Sequence, residues 1–238
     1  MIHSSLQSLA PQTPMMERAG SVSQAACAAA AAAMAALDAG GMTISVHKNG
    51  EICAQGDVSR HVYRVMQGCV RIVKLLADGR RQVTEFLMPG DWFGIESVGD
   101  AAGAVEAVSD SVLRRFKRRH VDEMMENYPG LASWRLGLVS DKLCRAQERL
   151  LTLGRRTAAE RIAVFLVEME VRMRHDRSGA VMLPMNRGDI GDHLGLTVET
   201  VSRNLSIMEH NGAIGRIGSG FVIRDREALG DCVNLALN

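Results

Sequence analysis

The periodicity of the chain changes at His120, and that change restricts the folds open to it more than any other feature. Upstream, from Met42 to Phe116, apolar and polar residues alternate in short runs broken by turn residues. Ile44-Ser45-Val46-His47 leads to Asn49-Gly50, and Val62 to Met66 leads to Gly68. Cys69 to Leu75 alternates apolar with basic residues as far as Asp78-Gly79, a strong hairpin signal, and Gln82 to Leu87 returns from it. Pro89-Gly90-Asp91 makes another turn before Val105 to Val108 and Val112 to Phe116. Short strands with turns about every 8–12 residues predict a small antiparallel barrel or jelly roll. Downstream the apolar spacing becomes three and four, through Leu136, Val139, Leu143, Ala146, Leu150 and Leu153. This is an a/d seam, with Asp141, Lys142, Arg145, Glu148 and Arg149 off it. So narrow a stripe suits a partner helix; a helix packed on its own domain is the alternative.

The ends of the chain read differently. Residues 1–22 lack periodicity and are expected to form a flexible tail, while Ser23 to Leu37 is alanine-rich and helical, ending at Gly40-Gly41. The alanine run is too weakly apolar, and too soon followed by Asp38, to span a membrane. Met1 to Met16 has no basic cluster ahead of an apolar core, so no secretory signal is read and a cytoplasmic location is expected. Five scattered cysteines without a C-x-x-C pair predict reduced thiols, with no disulfide framework and no metal site. Cys144, beside the seam, is expected to be a buried, inert thiol. No nucleophile with a paired base and no phosphate-binding loop occurs, so no catalytic residues are named and an enzyme is not expected.

A net charge of +1 carries no information about partners, so any case for nucleic acid must rest on pattern. The pattern lies near the C-terminus. Asn186 to Leu194 makes a short helix with Ile190 and Leu194 inward, and Gly195 follows where a tight turn needs positive φ. Thr197 caps a second helix that buries Val201, Leu205 and Met208. Its other face presents Val198, Glu199, Ser202 and Arg203. An arginine there can donate twice to guanine, a glutamate can accept from cytosine, and a serine is short enough to approach a base. Glu199 and Arg203, four apart, can also brace each other. Asn186, Arg187, Thr197, Thr200 and Arg216 are expected on phosphate. Asn211-Gly212 ends the helix, and Ala213 to Ile223 folds back as a two-stranded wing.

These features resemble the Crp/Fnr family of bacterial transcription regulators over nearly the whole chain after the tail. The most specific part is Leu183-Pro184-Met185 leading into Val198-Glu199-Thr200-Val201-Ser202-Arg203. The stretch Gly90-Asp91-Trp92-Phe93-Gly94-Ile95-Glu96-Ser97 also follows the family pattern. The resemblance implies an α+β chain. It would have a cyclic-nucleotide-binding-like β-roll at 23–119, a long dimerisation helix at 120–154 and a winged helix-turn-helix at 155–238. It further implies a homodimeric activator with double-stranded DNA and RNA polymerase as partners, in which Glu199, Ser202 and Arg203 read TTGAT half-sites. Members that bind cyclic AMP carry an Arg-Ser pair after a Gly-Glu in the roll. Here Gly99 to Glu106 has no arginine and places Asp100 and Glu106 instead, which disfavours an anion. Members with an iron–sulfur cluster have a cysteine group near the N-terminus, where this chain has Cys27 alone. His47, His61 and His120 are read as surface histidines, so no haem ligand is assigned. No cofactor is therefore expected. The nearest resemblance is to the FixK-like branch, which acts in the low-oxygen programme for respiration, nitrogen fixation and denitrification. A regulator gated by nitric oxide or another small effector in the roll is the alternative.

Overall fold

A computed structural model describes residues 24–58, 60–96, 101, 103–173, 179–218 and 220–234. The expected tail at 1–22, most of the polar loop from His175 to Gly179, and Asp100 lie outside them. The alanine-rich segment is helix α1 (Gln24–Ala39). The alternating region forms two four-stranded sheets of eight strands: β1 (Met42–Val46), β2 (Glu51–Cys53), β3 (His61–Gln67), β4 (Val70–Leu75), β5 (Arg81–Leu87), β6 (Trp92–Phe93), β7 (Ala104–Ala107) and β8 (Ser111–Lys117). The strand orders are β1-β8-β3-β6 and β2-β7-β4-β5, and every pairing is antiparallel. The short strands β2 and β6 were not expected from the sequence. Val65, Val70, Leu87 and Leu113 fill the space between the sheets, with Tyr63 stacked on Phe93 at 4.8 Å.

Strand β4 is apolar on both sides. Val70 and Ile72 face the interior of the roll, so Cys69, Arg71 and Val73 face outward. The outward face is not wet: Cys69 and Val73 join Val83 and Phe86 in one core with the helices of the C-terminal region.

Two helices occupy the span expected to hold one. Helix α2 (Arg118–Asn127) ends at Tyr128, and helix α3 (Pro129–Arg155) begins at the next residue. Pro129 has no N–H for the preceding turn and drives Tyr128 into extended backbone, so the first helix must stop there. Along α3, Leu131 is buried and Trp134 and Leu138 pack beside it against Ala33, Leu37 and Trp92. The apolar seam lies elsewhere on the helix.

Helix α4 (Ala158–Arg172) starts at a capping box, in which Thr157 accepts from the amide of Glu160 and Glu160 from that of Thr157. It buries Ile162, Phe165, Leu166 and Met169. The rest of the C-terminal region is β9 (Val181–Met182), α5 (Arg187–Leu194), α6 (Val198–His210), β10 (Ile214–Ile217), β11 (Gly220–Ile223) and α7 (Arg226–Asn234). The wing has a third strand that the sequence reading missed, because β9 pairs with β11. No helix among the described residues is long and apolar enough to cross a membrane.

Candidate nucleic-acid interface

Helices α5 and α6 are joined by a tight turn that rests on two glycines. Gly195 sits at φ 65°, and a Cβ on Gly191 would lie 2.6 Å from the carbonyl oxygen of Leu196. The α5 helix therefore approaches the start of α6 more closely than any side chain would allow. Val201 and Met208 are buried beneath α6, with Leu205 partly so. Thr197 caps the helix by accepting from the amide of Thr200 at 3.2 Å.

With that face buried, the opposite face is committed to solvent. Val198, Glu199 and Arg203 are exposed, and Ser202 is half-buried between them and α5. Glu199 stands in the first turn, where its own backbone amide and then the Thr197 hydroxyl hold its carboxyl below the ordinary value. The brace anticipated between Glu199 and Arg203 is not what stabilises that carboxylate. It stays charged, an acceptor only.

The residues expected on phosphate divide. Arg187 Nη1 donates to Ser202 Oγ at 3.0 Å, so it is joined to the residues expected to face bases. Asn186 caps its own helix: its Oδ1 accepts from the amide of Asp189, and Asp189 reaches back to the amide of Asn186, which leaves the Asn186 side-chain NH2 outside the cap. Thr200 Oγ1 lies 3.1 Å from Thr197 Oγ1, within the cap. Arg216, on the wing, pairs with Glu209 at 3.4 Å across exposed surface.

On α3, Leu136, Leu143 and Leu150 are 70%, 60% and 71% exposed, and Val139 and Ala146 are exposed with them. Leu153 is different; it is half-buried beside Gly195. Cys144 is exposed in this chain, not buried as expected, because it sits on the same open side of α3. His47 is open to solvent, while His61 and His120 are half-buried, which corrects their reading as surface residues.

The roll contains a cavity of about 660 Å³, whose lining includes Cys53, His61, Tyr63, Lys74, Thr84 and Glu96. Burial, ahead of the charges of Asp57 and Glu51, pushes the Cys53 thiol up to about 11. Among the described residues no three metal-binding side chains cluster.

Sequence reasoning missed a set of residues beneath α5. Asp189 and His193 are buried on this helix, Asp189 only 2% exposed. His193 Nδ1 donates to the carbonyl of Val83 at 3.0 Å, with its ring against Phe86 and Phe165. Burial, then the nearby charge of Arg149, lowers its pKa to about 3. The only local signal was Asp189 three residues after Asn186, the spacing of a capping box.

Comparison with known proteins agrees with this architecture. Residues 43–128 match the cyclic nucleotide-binding domain and residues 160–232 the Crp-like helix-turn-helix domain. The chain is 44% identical over 186 residues to the nitrogen fixation regulation protein FixK of Azorhizobium caulinodans, covering 76% of this chain and 75% of that protein. It is 41% identical over 172 residues to the FixK protein of Rhizobium meliloti, covering 72% and 77%. The solved structure of FixK2 from Bradyrhizobium japonicum superposes with a TM-score of 0.77 at 40% identity, covering 81% of this chain and 96% of that one. These relatives are transcription regulators and not enzymes. The chain belongs to the Crp/Fnr family of transcription regulators, in its FixK-like branch.

Proposed function

We propose that this regulator binds, as a homodimer in the cytoplasm, to inverted repeats with TTGAT-type half-sites and activates transcription through contact with RNA polymerase. The observation that carries the reading is the division of α6 into a buried side, Val201 and Met208, and an open N-terminal face. Arg203 donates in parallel to O6 and N7 of guanine, and Glu199 accepts from the cytosine amine. Ser202 approaches the neighbouring base, and Asn186, Arg187, Thr197, Thr200 and Arg216 supply phosphate contacts around them. The name shared by its relatives, nitrogen fixation regulation protein, supports a role in nitrogen fixation, and the low-oxygen response is the wider programme that the family resemblance implies.

The exposed leucines of α3 support the dimer, since a row of apolar side chains this open gains by docking on a second copy. Two recognition helices about one turn of DNA apart would then meet successive major grooves. Replacing Leu143 by glutamate is expected to give monomers by light scattering and to lose operator binding; an unchanged dimer would remove the seam from the account.

The decisive experiment is binding of the purified protein, with no effector added, to a TTGAT inverted repeat. Tight binding is expected. A second reading, a regulator gated by nitric oxide or another small effector, is favoured by the cavity in the roll. Binding that appears only after a small molecule is added would establish it.

A further inference from the structure

Two arginines of the roll and three carboxylates meet at the boundary between the β4–β5 hairpin and helix α5. Arg71 is 6% exposed, yet it lies on the outward face of β4, where a charged side chain would ordinarily meet water. Its Nε donates to Glu106 at 2.8 Å and its Nη1 to Asp189 at 2.8 Å. Arg81, at the start of β5, donates from Nη2 to the same Asp189 oxygen at 2.9 Å and from Nε to Asp192 at 2.9 Å. Next along β5, Gln82 donates to the carbonyl of His193 at 3.2 Å, and Val83 accepts from the His193 ring. Arg172 of α4 donates to the carbonyl of Phe86 and to Asp91, tying the far end of the strand to the same region.

We propose that this contact is an orienting clamp, in which Arg71 and Arg81 are positioning residues that set the direction of the DNA-reading helix relative to the roll. The inference rests on the reading of α6 as the helix that contacts DNA. Buried ion pairs contribute little net stability against apolar replacements, but their geometry is directional, so they specify one docking among several. Asp189 makes the transmission short. One oxygen caps α5 at the amide of Asn186, and the other receives both arginines. Because that cap lies within α5, it holds the Asp189 carboxylate fixed on the helix, and a rotation of α5 against the hairpin would break the clamp. Since Gly191 packs α5 directly on the chain entering α6, the recognition helix turns with α5. In a dimer held by α3, each roll is fixed to the seam, and the clamp then fixes the separation and angle of the two recognition helices. The roll would thus act on DNA binding without any ligand.

The test uses the full-length protein carrying Arg81→Glu, the same change with Asp192→Arg, and the milder Arg81→Gln. Arg81 is partly exposed, so these variants avoid placing an unpaired charge in the core. Three duplexes are compared: the TTGAT inverted repeat, the repeat with its half-sites moved apart by one base pair, and a single half-site. Hydrogen exchange of β5 and α5 is followed in parallel. The expected result for Arg81→Glu is about tenfold weaker binding to the correctly spaced repeat, with half-site binding within about twofold of the parent. Its preference for correct spacing shrinks, and exchange in β5 and α5 rises together. Arg81→Gln moves the same way by less, and Asp192→Arg restores the spacing preference and the exchange protection. Unchanged spacing preference with unchanged exchange in α5 would overturn the clamp. So would equal losses on repeat and half-site, or failure of the charge swap to restore either property. If the parent protein binds no repeat at all, the reading of α6 falls, and exchange in the charge-swap pair still decides whether the clamp exists.

Discussion

Helices α5 and α6 are neighbours in sequence, and both carry polar side chains, but they use them in opposite ways. On α5, Asp189 and His193 are buried and their hydrogen bonds are made within the protein. On α6, Glu199 and Arg203 stand in solvent, one held charged by the helix start and the other reaching outward. The same chemistry thus serves folding in one helix and, on the proposed reading, recognition in the next. What separates them is the covering layer: the β4–β5 hairpin lies over α5, and among the described residues nothing lies over the exposed face of Val198, Glu199 and Arg203 on α6. An exposed, ordered set of hydrogen-bonding groups beside a buried, saturated one is the arrangement a DNA reader requires.

Substitutions in the two helices should therefore separate stability from binding. The largest effect is expected for Asp189→Ala, which leaves Arg71 buried without one of its partners and removes the α5 cap. A loss of about 3–5 kcal/mol in unfolding free energy is expected by denaturant titration. A loss below about 1 kcal/mol would mean that Asp189 is no more than a surface pair.

Next comes the pH dependence through His193. Its folded pKa, near 3, lies below the ordinary value of 6.5. As pH falls below the unfolded value, the unfolded chain takes up a proton that the folded chain refuses, so stability declines until the folded pKa is reached. The difference in stability between the parent and His193→Gln should slope by about 1.4 kcal/mol per pH unit between the two values. A parallel pair of curves would mean that His193 is not buried neutral. The smallest effect on stability, within about 0.5 kcal/mol, is expected for Arg203→Ala, since it leaves the surface of α6 otherwise intact.

Much of this comparison was legible in the sequence, and the reasons are local. The spacing of Val201, Leu205 and Met208, the Thr197 cap and Gly195 all act within a few residues, so α6 and its open face could be read directly. The Asp78-Gly79 turn marked the hairpin for the same reason, and the glycine has φ 82°. The clamp was invisible because its partners are distant: Arg71 and Asp189 lie 118 residues apart. An arginine alternating with valines reads as the wet side of a strand until the second domain is seen to cover it. Strands β2, β6 and β9, of two or three residues, are too short to display an alternation. The break at Pro129 was readable in principle, but the strong heptad beyond it drew the helix boundary too far upstream.

The central claim, that the open face of α6 reads bases, is tested most directly at Arg203. Affinities of the parent and Arg203→Ala would be measured on the TTGAT inverted repeat, on the same repeat with its guanine replaced, and on random duplex. The parent should lose about 1–3 kcal/mol when the guanine is replaced, and Arg203→Ala should bind the intact and altered repeats alike while keeping its affinity for random duplex. An equal loss on all three duplexes would make Arg203 a phosphate contact and contradict the account.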